Sequence, residues 1–434
     1  MEKEVSVGLL GLGVVGSGVA QLIDKYQDDL KYKLGCGVRV KSVLVRNLEK
    51  ARNFDIDQTI LTTNSADVLN DPEIDVVVEV MGGIEKARTY ILQALQAKKN
   101  VVTANKDLIA LYGPELEAAA TENECDLFYE ASVGGGIPLL RGLSDGLVSD
   151  RIQQVMGIVN GTTNYILTKM DRDGESYESA LKKAQELGFA EADPTADVDG
   201  LDAARKMVIL ARLSFLTNVD LDDVEVEGIS NLSLTDLQYG KQLGYSMKLI
   251  GFANRTNDNH IEVSVQPTFL SNKHPLSSVK DEYNAVYING EAVGETMFYG
   301  PGAGSLPTAT AVMSDVVEAI KNMRMGVNGK KFVKPRYQKQ LTPMDKRFSQ
   351  FYLRLHVKDE VGAFALISEL FNQMGISFER ILQKPSNKNE LAEIVVVTHE
   401  TSHAKFKEAL SKLEELYVVD NIDSFYRVEG DAKK

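Results

Sequence analysis

Short apolar runs alternate with longer, helix-length stretches along the first 130 residues. Val5 to Leu10 predicts a strand, and the glycine-punctuated apolar stretch behind it predicts a helix to about Leu30. Strands follow at Val38–Val45, Asp75–Val80, Asn100–Thr103 and Asp126–Glu130, with helices at Lys86–Ala97 and Asp107–Thr121 between them. Strand and helix in rotation give a parallel, doubly wound α/β sheet, whose ligands lie at the carboxyl ends of the strands. The texture changes after Glu130, where Ala131 to Pro138 forms a glycine-rich turn. Strands at Gln154–Val159, Met247–Asn254, Ile261–Phe269 and Asn284–Ile288, the last entering a hairpin through Asn289-Gly290, describe a mostly antiparallel second body. Helices are expected at Tyr177–Leu187 and Ala309–Asn322. Beyond them, strand Phe351–Val357, helix Gly362–Met374, strands Ser377–Lys384 and Leu391–His399, helix Ser402–Tyr417 and strand Val419–Arg427 complete a ferredoxin-like β-α-β-β-α-β order.

This organisation predicts four segments. A dinucleotide-binding Rossmann domain at 1–137 is completed by a helix at 308–323, and an α+β substrate and dimerisation domain covers 138–307. A basic linker with Pro335 and Pro343 covers 324–348, and the C-terminal module covers 349–434. A chain of 434 residues with 44% apolar content can support that many cores. Its net charge of −14 argues against nucleic acid or an anionic membrane as partner, because phosphates are repelled on average. Two cysteines, Cys36 and Cys125, can build neither a disulfide framework nor a zinc site, which suits a reducing cytoplasm. The uncharged stretch Gly8–Ile23 follows an acidic start and is too short and glycine-rich for a membrane span.

Candidate chemistry begins with Gly11-Leu12-Gly13-Val14-Val15-Gly16, a G-x-G-x-x-G placed between strand and helix. The first glycine permits the turn, the second lets a pyrophosphate approach, and the third lets helix and strand pack closely. Arg46, past the second strand, stands where an NAD site usually has a carboxylate, and favours the 2′-phosphate of NADP, with NAD still possible. Lys106, straight after the strand ending at Thr103, is expected at the nicotinamide end of the crevice, or else is simply solvated. Glu130 beside the carbonyls of 131–137 offers the oxygen donors of a hard cation, and a plain interdomain hinge explains the same glycines. Asn160-Gly161-Thr162-Thr163-Asn164 could hold a carboxylate or cap a helix. Gly300 to Ser305 is a second glycine turn at a helix start, suited to closing on the cofactor or to a domain crossing. Asp359-Glu360-Val361-Gly362 sits at a strand-to-helix turn where N–H groups could meet a small ligand.

The acidic loop and helix from Gly188 to Leu210 carry Asp202 and Lys206, four residues apart on one helical face. A surface salt bridge explains that pair as simply as proton transfer does. All five histidines lie elsewhere, so lysine becomes the leading acid/base candidate for a reaction that a dinucleotide domain implies to be hydride transfer. Asp193, Asp197 and Asp199 lack the spacing of a calcium loop and have no histidine partner, which argues against a catalytic metal.

Taken in order, Gly11–Gly16, Thr103-Ala104-Asn105-Lys106, Asn160–Asn164, Gly188–Pro194, Gly200–Lys206 and Gly302-Ala303-Gly304 resemble homoserine dehydrogenase of the long bacterial type, with a C-terminal ACT domain. The resemblance implies reversible reduction of L-aspartate 4-semialdehyde to L-homoserine with NADPH or NADH, on the route to threonine and methionine. It implies Lys206 as acid/base, Lys106 assisting, Asp202 holding Lys206 and contacting homoserine, and Glu191 toward the homoserine ammonium, with Gly161 and Thr162 also at the substrate. Gly11, Gly13, Val14, Val15, Gly16, Arg46, Lys106, Gly188, Gly302 and Gly304 become cofactor positions. Glu130 with the carbonyls of Val133, Gly135 and Ile137 matches a structural sodium-like site. Asp359 and Gly362 become effector positions, with threonine the expected amino acid, and a homodimer or homotetramer is expected. Deleting 349–434 is expected to leave activity and remove amino-acid sensitivity. Two competing readings are another Rossmann-plus-ACT oxidoreductase and a non-catalytic amino-acid sensor.

Overall fold

The structure is a computed structural model that describes residues 4–52, 54–330, 335–385 and 390–430, so parts of the expected linker and C-terminal module lie outside the described residues. Two compact units emerge: Met1–Ile152 with Arg205–Asp222 and Gly290–Gln338, and Gln153–Ala204 with Asp223–Asn289 and Lys339–Lys434. The second unit therefore unites the substrate module with the C-terminal module. Among the described residues no helix is long and apolar enough to cross a membrane.

In the first unit, strand β1 (Val5–Leu10) is buried throughout and leads into helix α1 (Val14–Lys25), after which α2 (Gln27–Leu34) continues past a break at Tyr26. Strands β2 (Val38–Leu44) and β3 (Leu61–Thr62), helix α3 (Ala66–Leu69), strand β4 (Val76–Glu79) and helix α4 (Glu85–Gln96) follow. Strand β5 (Asn100–Thr103), helix α5 (Lys106–Glu122) and strand β6 (Leu127–Phe128) complete the sheet. Its order, β3-β2-β1-β4-β5-β6, is parallel throughout and reverses direction beside β1, which opens a crevice at the carboxyl ends of β1 and β4.

The middle of the chain holds β7 (Ile152–Ile158), α6 (Gly161–Asp173), α7 (Tyr177–Glu186), the short α8 (Thr195–Val198) and α9 (Leu201–Phe215). Then come β8 (Glu225–Val226), α10 (Leu234–Gln242), β9 (Tyr245–Arg255), β10 (Ile261–Ser271), β11 (Tyr283–Gly290) and β12 (Gly294–Pro301). Asn289-Gly290 ends β11 instead of forming its turn, which falls at 291–293. Helix α11 (Ser305–Met325) starts four residues earlier than its apolar pattern suggests and covers the first unit's sheet with Ala309, Val312, Val316 and Ile320. Its contact with α1 is close, because a Cβ on Gly18 would lie 2.9 Å from the Ala309 Cβ.

The basic segment before the C-terminal module is stitched down beyond its undescribed residues. Arg336 and Tyr337 donate backbone N–H groups to Leu216, while Ile261 donates to Gln340 and Thr342 donates back to Ile261. Strand β13 (Phe348–Lys358), helix α12 (Ala363–Gln373), strands β14 (Phe378–Pro385), β15 (Leu391–Thr398) and β16 (Thr401–Ser402), helix α13 (His403–Glu414) and strand β17 (Val419–Glu429) complete the chain. Phe351, Leu353, Leu355 and Val357 alternate onto one face of β13 and meet α12 and α13 in an apolar core. The sheet of the second unit runs β11-β7-β9-β10-β17-β13-β15-β14, so the two modules share one sheet. Their join is parallel, Thr268 opposite Arg427 and Leu270 opposite Glu429, in a body otherwise built largely of antiparallel pairs.

Candidate active-site residues

In the first unit the glycine turn has the geometry that a dinucleotide requires. Gly11 takes φ +111°, and a Cβ there would lie 2.9 Å from the Val80 carbonyl oxygen. A Cβ on Gly16 would fall 2.2 Å from the Gly11 oxygen, so the third glycine is demanded by the fold itself. Nothing lies within 4 Å of a Cβ on Gly13, and α1 begins there with no side-chain cap and no acidic residue in its first turn. Free space and uncapped N–H groups at a helix N-terminus suit a pyrophosphate. The Gly302–Gly304 turn belongs to the same neighbourhood: Ser305 Oγ donates to the Val14 carbonyl at 2.8 Å, and Gly304, at φ +121°, is the N-cap of α11. Arg46 is exposed just beyond β2.

Glu79, at the end of β4, organises the rest of this crevice and escaped the sequence reading. Its carboxylate accepts the N–H groups of Met81 (2.9 Å) and Gly82 (3.2 Å) and the Thr103 hydroxyl (2.7 Å). Asn105 extends the network by donating to the Gly83 carbonyl at 2.7 Å and capping α5 at Leu108 N–H. The Thr103-to-Lys106 motif and the Met81-Gly82-Gly83 turn are thus held by one buried carboxylate. Burial pushes the Glu79 pKa up, against hydrogen bonds that pull it down. The signal available in the sequence was an acidic residue inside Val76-Val77-Val78-Glu79-Val80, directly ahead of Met81-Gly82-Gly83.

Half-buried Lys106 is the first residue of α5, and half-buried Lys206 lies on α9. Arg205 Nε lies 3.1 Å from Asp107 Oδ1, and Arg212 donates to the Ile109 and Ala110 carbonyls at 3.0 and 2.8 Å. The Arg205–Asp107 contact is an ion pair by distance without hydrogen-bond alignment, since Asp107 Oδ1 has no hydrogen-bond partner among the described residues. Both lysines therefore sit beside one pinned helix corner. Glu130 caps the turn that follows it, accepting Leu140 N–H at 2.7 Å and Arg141 N–H at 2.8 Å. Its own N–H donates to Asp315, whose pKa burial pushes up to about 7.

In the second unit Asn160 joins three elements. It caps α6 by accepting from Thr163 N–H at 2.9 Å, and donates to Asp197 at 2.7 Å and to buried Asp202 at 2.9 Å. Thr162 donates to the Phe189 carbonyl at 2.5 Å. Asp197 is thereby part of the frame that sets Asp202. Gly161 is confined, because a Cβ would lie 2.6 Å from the Glu282 oxygen, whereas Gly188, at φ +77°, faces open space. Glu191 is exposed on the loop that follows. Asp193 is a cap, accepting the Thr195 N–H and hydroxyl, which lower its pKa. In the C-terminal module Gly362, at φ +95°, is the N-cap of α12 with open space around it, and Asp359 is exposed before it.

Residues 11–130 match the family described as homoserine dehydrogenase, NAD binding domain; residues 138–317 match homoserine dehydrogenase; residues 351–416 match the ACT domain. Over 431 residues the chain is 59% identical to the homoserine dehydrogenase of Bacillus subtilis, covering 99% of each. The chain belongs to the homoserine dehydrogenase family. It is also 41% identical to the Synechocystis homoserine dehydrogenase, covering 98% of this chain and 99% of that one. A solved homoserine dehydrogenase from Thiobacillus denitrificans matches with a TM-score of 0.91 at 38% identity, covering 99% of each chain. The chain is thus a homoserine dehydrogenase-type oxidoreductase with an N-terminal Rossmann-like sheet, a mixed-sheet middle and a C-terminal ACT domain, as its motifs implied.

Proposed function

We propose that the chain reversibly reduces L-aspartate 4-semialdehyde to L-homoserine with NADPH in preference to NADH, serving threonine and methionine synthesis in the cytoplasm. The observation that carries this reading is the pinned corner of α5 and α9, which holds Lys106 and Lys206 in the unit that bears the dinucleotide turn. The bound dinucleotide supplies the hydride. Lys206 Nζ gives a proton to the aldehyde oxygen as it becomes a hydroxyl, and takes it back in the oxidative direction. Lys106 opposes negative charge developing on that oxygen. Glu191 takes the substrate ammonium, Asp202, held by Asn160, faces Lys206 and the substrate, and Gly161 and Thr162 open α6 toward the substrate.

Gly11, Gly13, Val14, Val15 and Gly16 take the pyrophosphate, with Gly188, Gly302 and Gly304 closing on the cofactor. Arg46 favours the 2′-phosphate. An archaeal homoserine dehydrogenase solved in complex with NADPH, 25% identical with a TM-score of 0.61 over 77% of this chain, supports that choice. A structural sodium-like cation is proposed at Glu130 with the carbonyls of Val133, Gly135 and Ile137. Among the described hydrogen bonds the Val133 and Gly135 carbonyls accept nothing, the Ile137 carbonyl accepts only Leu139 N–H, and each Glu130 oxygen takes one N–H. Those oxygens fit a hard, weakly held ion. Asp359 and Gly362 form the effector turn, with threonine as ligand, in a homodimer or homotetramer.

The test follows reduced cofactor from homoserine with NADP and with NAD separately. Turnover greater with NADP is expected, and Lys206→Ala should cut kcat by about a hundredfold or more, the usual scale of a lost acid/base, at unchanged cofactor affinity. Full turnover in that variant removes Lys206 from the mechanism, and no turnover of homoserine overturns the reading.

A further inference from the structure

The second unit holds a cleft of about 510 Å³ that none of the roles above uses. Its walls include Asn254 on β9, Glu262 on β10, Thr342 and Lys346 on the connecting segment, and Arg427 and Glu429 on β17. The floor is a built structure. Arg427 lies 3.7 Å over the Phe252 ring centroid and bonds Glu262 at 2.8 Å and Glu429 at 2.7 Å. The side chains of Arg427 and Glu262 are only 3% and 5% exposed, so the pair cannot be a loose surface contact. Beside them Thr342 is 2% exposed, and its hydroxyl meets no hydrogen-bond partner among the described residues. A buried hydroxyl left in that state costs about 1–3 kcal/mol unless something else satisfies it.

The chemistry of the walls selects the ligand class. Lys346, Arg347 and Arg427 are matched in number by Glu262, Glu400 and Glu429, and Arg347 is already paired with Glu225, so the cleft offers no net attraction to a bare anion or a bare cation. A small molecule carrying one charge of each sign, with a hydroxyl or amide for Asn254 and Thr342, satisfies it best. We propose that this cleft is a second small-molecule site, apart from the Asp359–Gly362 turn, and that it takes a zwitterionic α-amino acid. The carboxylate faces Lys346 and the Thr342 hydroxyl, and the ammonium faces Glu429. The occupant touches β9 and β10 of the substrate module and β17 of the ACT module across their parallel join, so its binding is coupled to the alignment of the two. This deepens the regulatory reading above and rests on it for the amino-acid class.

L-threonine titrated calorimetrically into the full chain tests the proposal, with homoserine turnover measured separately without threonine. Lys346→Ala and Glu429→Gln change side chains that are exposed or half-exposed, so both variants should fold. Each is expected to raise the Kd of a threonine-binding event about tenfold or more, the loss of one charge-assisted contact, at unchanged basal turnover. Asp359→Ala should leave that event in place. No threonine binding, or binding indifferent to both cleft variants, overturns the proposal. Absent homoserine turnover would instead sink the enzymatic reading and leave the binding result standing.

Discussion

Asp236 on α10 is wholly buried and accepts from four side chains of the ACT module: Arg354 Nε at 2.6 Å, Ser424 at 2.8 Å, Tyr352 at 3.0 Å and Tyr426 at 3.3 Å. Replacing it with asparagine removes the charge opposite a buried guanidinium. Breaking one side of a buried pair costs about 3–5 kcal/mol. Arg354 keeps Glu393 at 3.0 Å and Asp423 at 3.8 Å, and asparagine can still accept one bond, so the lower end, about 3 kcal/mol, is expected. For a body of this size that is a fall in Tm of about 6–12 °C. Urea and thermal melts followed by circular dichroism read it, and a cycle with Arg354→Met should return a coupling of about 1–3 kcal/mol. An Asp236→Asn variant within about 1 kcal/mol of the parent, or a coupling near zero, would refute the argument that this hub locks the modules together. The same hub revises the deletion experiment. Removing 349–434 strips Asp236 of these donors, takes Tyr352 and Tyr426 away from the Phe269 ring and leaves Glu262 without Arg427, so the truncated chain should lose stability instead of merely losing regulation.

Two further outcomes follow from single positions. Gly13→Ala places its methyl in open space and should melt like the parent while weakening dinucleotide binding, whereas Gly16→Ala drives its methyl into the Gly11 carbonyl and should lose stability as well; melts and cofactor titrations compare them, and equal cofactor affinity in Gly13→Ala would remove that residue from the phosphate site. Burial and the neighbouring Lys280 push the Lys248 pKa down to about 7, while its ammonium donates to Asn164 at 2.8 Å and Val279 at 2.5 Å. The folded state then binds fewer protons than the unfolded chain between about pH 7 and the ordinary lysine value, so this group makes stability rise with pH across that window, by at most about 1.4 kcal/mol per unit. Urea melts at pH 7 and 9 should show the rise in the parent and a flatter response in Lys248→Met, and equal slopes would exclude it.

The glycine turn, the strand-helix rhythm and the lysine motifs were legible because they are local: hydrophobic period, turn chemistry and helical spacing depend on near neighbours in the chain. The partner of a buried charge does not. On β13 the residues Phe351, Leu353, Leu355 and Val357 announce one apolar face, and the alternate positions Tyr352 and Arg354 read equally well as a wet face. Only the fold gives that second face to α10, where Arg354 meets Asp236 across 118 positions of sequence. Glu79 gathering Thr103 and the Met81-Gly82 turn, Asn160 joining Asp197 to Asp202, and the parallel seam of β10 with β17 are decisions of the same kind. By itself the chain's sequence determined its family, its motifs and most of its elements. Tertiary structure alone decided which polar groups are taken out of water together, because burying a charge is tolerable only where distant residues converge to pair it.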